Sequence, residues 1–186
     1  MGGSLTEQEL VIALQRSLIA YPKYFVETGT YKADTTLMAA KLFRHVYTFE
    51  IMEPLYTMSV NRARQDNVNN VSFHLGDSVK LLHTVVPKVK DGAVYFIDAH
   101  ASGPDSGFNG TPVPLLDELR VILSHKVSPS LFIFDDLRFW KGKAQQAWDW
   151  ASISDNTVLE CFIKEGYTIN DCWEENDRFW VVAGCT

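Results

Sequence analysis

Two short stretches carry side chains with chemistry to offer. Phe96-Ile-Asp-Ala-His100 and Phe132-Ile-Phe-Asp-Asp136 each run from apolar residues into carboxylates. Asp98 has His100 two residues on, and Asp135 stands beside Asp136. A short apolar run bounded by turn residues reads as a buried strand, so both stretches deliver acids to a strand's carboxyl end. If the two strands are neighbours, their ends lie about 4.8 Å apart, close enough for Asp98, Asp135 and Asp136 to face one ion. Carboxylates without thiols or a histidine pair suit a hard cation such as Mg²⁺, with water or substrate oxygens completing six-coordination. The plainer reading makes Asp135-Asp136 an exposed turn and Asp98 a helix cap. His100 is open in the same way, between a general base and a solvated loop histidine.

The other strand ends repeat the pattern. Glu27, Thr28, Gly29 and Thr30 follow an apolar run at 24–26, Glu50 follows one at 46–49, and Gly76, Asp77 and Ser78 follow one at 71–75. A single acid at a strand end is ordinary turn chemistry, but five strands in succession are harder to assign to capping. The turn 27–34 has only Gly29 where a phosphate-cradling loop needs more exposed backbone. Its acid suits a ligand with a cationic amino group. Glu50 is placed to accept hydrogen bonds from ribose hydroxyls. Asp77 fits two roles equally, an N-cap and a neighbour of an adenine amino group.

The elements that must position these residues alternate. Thr6-Glu-Gln-Glu9 is a capping box opening a helix to about residue 20, with Leu10, Ile12, Leu14 and Leu18 available to the core. Helices are expected at 35–43 with Asp34 as cap, at 54–64 with Pro54 in the first turn, at 77–86, at 115–124, at about 142–152 around Trp148, and at 157–165. Strands at 93–97 and 131–134 complete the alternation. The last two, at 167–173 and 179–183, are joined through residues 174–177 with no room for a helix, so they pair as an antiparallel hairpin. The pattern predicts an α/β fold, Rossmann-like and doubly wound. Its seven-stranded sheet is mostly parallel, with an antiparallel C-terminal hairpin, and its ligand lies beyond the strands' carboxyl ends. One domain is expected over residues 1–186, with an N-terminal helix in 1–20 that could lid the site or join two copies in a homodimer. Residues 99–114 form a long glycine-rich active-site loop, in which Phe108 and Asn109 are candidate acceptor contacts. Arg138, Phe139 and Trp140 are either a second wall of the site or core packing. Tyr47, Phe49, Phe132 and Phe134 read as core.

A net charge of −6 argues against nucleic acid or an anionic membrane as the main partner. No apolar run approaches the roughly 20 residues that cross a bilayer. Three cysteines, odd in number and without a C-x-x-C, suit free thiols in a reducing cytoplasm.

Over roughly residues 20–184 the chain resembles the class I S-adenosylmethionine-dependent methyltransferases. The residues that carry this are V-E-T-G-T (26–30), Y-T-F-E (47–50), G-D-S (76–78), F-I-D-A-H (96–100), F-I-F-D-D (132–136) and the closing hairpin. The resemblance implies that Glu27, Thr28, Gly29 and Thr30 hold the methionine moiety, Glu50 the ribose, and Asp77 with Ser78 the adenine side, Asp98 bordering the same ligand. Tyr31 and Ala33 stand where the second and third glycines are usual, a reduced turn similar to that of catechol O-methyltransferase-like proteins. Asp98, Asp135 and Asp136 look like the metal triad of the metal-dependent small-molecule O-methyltransferases, of the catechol and macrocin types. That likeness implies methyl transfer to a hydroxyl of a small molecule or sugar, with Mg²⁺ holding two substrate oxygens. Catechol-type enzymes place a lysine base where Ala101 stands, so that base assignment does not transfer; the catalytic candidates here are His100 and Asp98. One rival is a non-catalytic S-adenosylmethionine- or nucleoside-binding protein. Another is a metal-dependent phosphohydrolase built on Asp98-Ala-His100, although His45, His74, His83 and His125 lie in none of that class's motifs. A nicotinamide-dependent oxidoreductase fits Glu50 but not the single-glycine turn.

Overall fold

The computed structural model describes residues 4–101, 107, 110–143 and 148–185. Strands β1 (Tyr24–Thr28), β2 (His45–Glu50), β3 (Val71–Leu75), β4 (Ala93–Ile97), β5 (Ser130–Phe134), β6 (Thr168–Glu175) and β7 (Arg178–Gly184) form one sheet, ordered β3-β2-β1-β4-β5-β7-β6. The five strands from β3 to β5 are parallel, and β7 runs antiparallel to both β5 and β6. The expected doubly wound sheet with its closing hairpin is therefore what the chain forms. Strand order reverses between β1 and β4, the switch point beside which open α/β sheets bind ligands. The register sets Thr28 beside Ile97, and Ile97 beside Phe134. Gly29, Asp98 and Asp135 therefore leave the sheet level with one another.

Helices α1 (Glu7–Ser17), α2 (Asp34–Leu42), α3 (Glu53–Gln65), α4 (Ser78–Val85), α5 (Leu115–Ser124), α6 (Leu137–Trp140) and α7 (Asp155–Lys164) cover the sheet. Strand periodicity divides the core in two, because successive side chains point to opposite faces. Tyr95, Ile97, Phe132 and Phe134 pack with Leu119 and Ile122 of α5 and Phe162 of α7. Val94, Phe96, Leu131 and Ile133 pack on the other face with Leu10 and Leu14 of α1 and with Phe25, Phe43 and Trp180. Each such buried side chain contributes about 1.5–3 kcal/mol.

The departures from expectation are local. Thr6 and Glu9 form the capping box, but α1 ends at Ser17 and Leu18 turns left-handed at φ 53. Its buried stripe is Leu10, Ala13, Leu14 and Ser17, at the i, i+3, i+4, i+7 spacing of one face. Ile12 falls off that face at 50% exposure and Leu18 lies beyond the helix at 91%. Asp34 is the first helical residue of α2 and not its cap, a place taken by Ala33 at φ 64. The expected helix at 142–152 is replaced by α6 and by turns. Gly142 adopts φ 65, and Lys143 and Trp148–Ser152 are bends, turns and irregular backbone. Residues 144–147, like Phe108 and Asn109, lie outside the described residues. The hairpin turn is tighter than the four residues expected. Asn176 and Asp177 sit at φ 52 and 65, the paired left-handed conformation whose twist matches that of the flanking strands.

Candidate active site

A cleft of about 280 Å³ opens at the carboxyl edge of the sheet, near the lower end of the range for small-molecule pockets. Gly29 and Tyr31 follow β1, Glu50 and Ile51 follow β2, Gly76–Val79 follow β3, and Asp98–Ala101 follow β4; all of these line it. Gly107, Thr111 and Pro112 of the long loop close the side beyond β4.

The floor is the turn after β1. The N–H groups of Gly29 and Thr30 both donate to the Phe49 carbonyl at 3.0 Å. Gly29 holds φ 81, and a Cβ there would stand 2.7 Å from the Asp98 carbonyl oxygen. Only glycine lets the β1 turn lie against the end of β4. Next to it Glu50 accepts the N–H groups of Tyr31 and Met52, each at 2.9 Å. Burial raises the Glu50 carboxyl above its ordinary value, against the lowering effect of these bonds. Asp77 is the N-cap of α4, accepting the Val79 N–H at 3.1 Å, and also faces the cleft.

Glu27, Thr28 and Thr30 do not line the cleft; they support it from beneath. Glu27, 1% exposed, accepts from the Thr48 hydroxyl at 2.7 Å and from that of Thr36. Thr30 and Thr48 share a hydrogen bond of 2.6 Å. Burial pushes the Glu27 carboxyl up to about 7. Thr28 points the other way, donating to Glu118 at 3.1 Å and accepting the Asp98 N–H at 3.2 Å.

Beyond β4 and β5 the structure brings Asp98, His100 and Asp136 together, one ligand atom of each lying within 4.8 Å of the others. His100 Nε2 is 2.9 Å from Asp136 Oδ2 and its Nδ1 is 3.7 Å from Asp98 Oδ1. The imidazole packs edge-on against Phe139 and Trp150. Phe139, Trp140 and Trp150 lie against one another behind it as packing. Asp135 turns instead toward Arg178, whose Nε is 3.3 Å away. Arg178 is 2% exposed and also meets Glu9 of α1 at 3.0 Å. Arg138 pairs with Asp136 at 2.5 Å and with Asp177. Burial raises the Asp98 carboxyl well above the ordinary range, with repulsion from Asp135 and Asp136 added and Arg178 opposing. Burial also lifts Asp135, to about 6, against the pull of Arg178. Two carboxylates and an imidazole converging where one acid is held against ionisation form a donor set that fits a divalent cation. The imidazole extends the choice beyond Mg²⁺ to first-row transition metals.

Two residues of the site region, Glu118 and Arg178, were absent from the candidates. Glu118 had a signal, as an acid on the α5 face that also carries Leu115, Leu119 and Ile122. Arg178 had none, because its partners Glu9 and Asp135 are remote in sequence.

No family model matches the chain, and no curated protein matches it in sequence. Solved structures do match in fold. A SAM-dependent methyltransferase from Aquifex aeolicus superposes with a TM-score of 0.62 at 15% identity, over 98% of this chain and 91% of that one. The O-methyltransferase TomG from Streptomyces achromogenes, solved with SAM, gives 0.60 at 13% identity, over 100% and 82%. An rRNA methylase from Streptococcus thermophilus gives 0.55 at 15% identity, over 97% of each chain. The chain thus has the Rossmann-like fold of SAM-dependent methyltransferases.

Proposed function

We propose that this protein transfers a methyl group from S-adenosylmethionine to a hydroxyl of a small molecule or sugar. One observation carries the reading: a single cleft runs from Gly29, Glu50 and Asp77 to the Asp98–His100–Asp136 cluster. Glu50 would take the ribose hydroxyls with the lone pairs left by Tyr31 and Met52. Asp77 and Ser78 would border the adenine, and the Gly29 turn the methionine end. His100, held at Nε2 by Asp136, would take the acceptor hydroxyl's proton as the oxygen attacks the sulfonium methyl in line. A divalent cation held by Asp98 and Asp136, leaving Nδ1 of His100 free for the proton, would supply polarisation of the acceptor oxygen. Fold neighbours are as different as an rRNA methylase and an O-methyltransferase involved in tomaymycin synthesis, so the acceptor class rests on this chain's own charge. At −6 it disfavours a phosphate backbone.

The test is calorimetric titration of S-adenosylhomocysteine into the wild type, Asp98→Asn and His100→Ala, with Mg²⁺ and then with excess chelator, followed by transfer assays on hydroxylated acceptors. Binding near −8 kcal/mol, about micromolar, is expected in all three proteins, with transfer lost in both variants. Binding without transfer by the wild type would mark a non-catalytic binding protein, and no heat would overturn the reading. Transfer that survives chelation would assign proton removal to His100 without a metal.

A further inference from the structure

Glu118 is fully buried on the apolar face of α5, and no ion pair reaches it among the described residues. Its carboxyl instead joins two hydroxyls. Thr28 Oγ1 donates to Oε2 at 3.1 Å, and Ser78 Oγ bonds to Oε1. Thr28 Oγ1 also accepts the Asp98 N–H at 3.2 Å. One buried polar chain therefore links the loop after β3, the end of β1 and the end of β4. The charged groups that act on it most are acids, Asp77 at the N-terminus of α4 and Asp117 on α5 itself, and the backbone of Asp98 lies beyond Thr28. Burial, reinforced by Asp77 and Asp117 and opposed by the two hydroxyls, pushes the Glu118 carboxyl up to about 8.

Counting hydrogens decides what this does. A hydroxyl has one hydrogen and two lone pairs; Thr28 gives its hydrogen to Oε2, and one of its lone pairs takes the Asp98 N–H. The proton of a neutral Glu118 must then sit on Oε1 and donate to Ser78. Ser78 lines the cleft, and its own hydrogen is released to point there. With Glu118 ionised, Ser78 would have to turn its hydrogen inward and show the cleft only lone pairs.

We propose that Glu118 is a positioning residue that works as a neutral carboxylic acid, donating to Ser78 and so making the Ser78 hydroxyl a hydrogen-bond donor toward a ring nitrogen of the bound nucleoside. The ligand's identity rests on the methyl-donor reading of the cleft; the state of the carboxyl does not. Two measurements separate them. Infrared spectra of the ligand-free protein at pH 7, taken as wild type minus Glu118→Gln, should show a carboxylic-acid band that disappears by pH 9.5. S-adenosylhomocysteine affinity should fall about fivefold, the worth of one neutral hydrogen bond, as pH rises through 8 in the wild type. It should lose that step in Glu118→Gln, whose amide keeps a donor at every pH, and in Ser78→Ala. Taking the difference between proteins removes the titration of Glu27, which is common to all. A missing acid band at pH 7, or a pH step that persists in Glu118→Gln, overturns the proposal. A wild type that binds no S-adenosylhomocysteine at any pH overturns the nucleoside half together with the proposed function, while the infrared band still decides the carboxyl.

Discussion

At the scale of single residues, the tightest constraint is the contact between Gly29 and the Asp98 carbonyl. Gly29→Ala adds a strained left-handed residue and a methyl 2.7 Å from that oxygen, so it must displace either the turn or the end of β4. A loss of about 2–4 kcal/mol in urea unfolding is expected. Gly166 is the control, with φ 75 but nothing within 4 Å of an added Cβ. Gly166→Ala should cost only the backbone strain, about 1–2 kcal/mol. Equal losses in the two variants would show that the Asp98 contact adds nothing. The turn residues were legible in the sequence because glycine and acids after apolar runs mark strand ends. Which of them face a ligand was less so. Glu27 and Thr28 are adjacent, yet strand alternation sends one to Thr36 and Thr48 and the other to Glu118 and Asp98. That parity depends on the sheet's register and on which helix covers each face.

Among the elements, one side chain joins α1, the β6–β7 hairpin and the site. Arg178 at the start of β7 reaches Glu9 of α1 and Asp135 after β5. Arg178→Met keeps the volume and leaves Asp135 buried without its cation, which should destabilise by about 3–5 kcal/mol. Adding Asp135→Asn should recover part of that loss, and a double-mutant cycle in denaturant reads the coupling. Additive losses would mean the two groups do not interact. The hairpin itself could be read from two apolar runs with no helix between them, whereas the end of α1 could not. Leu18 continues an apolar pattern, and nothing in its type reveals that the chain turns left-handed there at φ 53. The same holds for the helix expected at about 142–152 around Trp148. The described residues show turns and irregular backbone instead, with Trp150 buried against Phe139 and Trp140.

For the molecule as a whole, the buried carboxylates tie stability to pH. Folding raises Glu27 to about 7 and Glu118 to about 8 from an ordinary 4.5. Between the unfolded and folded values the native state holds protons that the unfolded chain has released, so stability falls as pH rises. Each group contributes a slope of about 1.4 kcal/mol per pH unit in that interval. Burial lowers His45, His74 and His125 from 6.5, and these act in the opposite direction below that value. The clean window is therefore from pH 6.5 to 8, where thermal unfolding should show a falling midpoint and Glu118→Gln a shallower fall. A flat or rising midpoint there would contradict the assignment.

The position of β7 between β5 and β6 has a consequence for how the chain is made. On the ribosome β5 emerges well before β7, and with it Asp135 before Arg178. Until the hairpin docks, Ser130–Phe134, an all-buried strand of the finished sheet, is an open edge rich in strand-forming residues, the kind of surface that recruits other chains. Conditions that delay the hairpin therefore favour aggregation of nascent chains over a soluble, partly active form. The arginine that neutralises Asp135 arrives on the same strand that closes this edge.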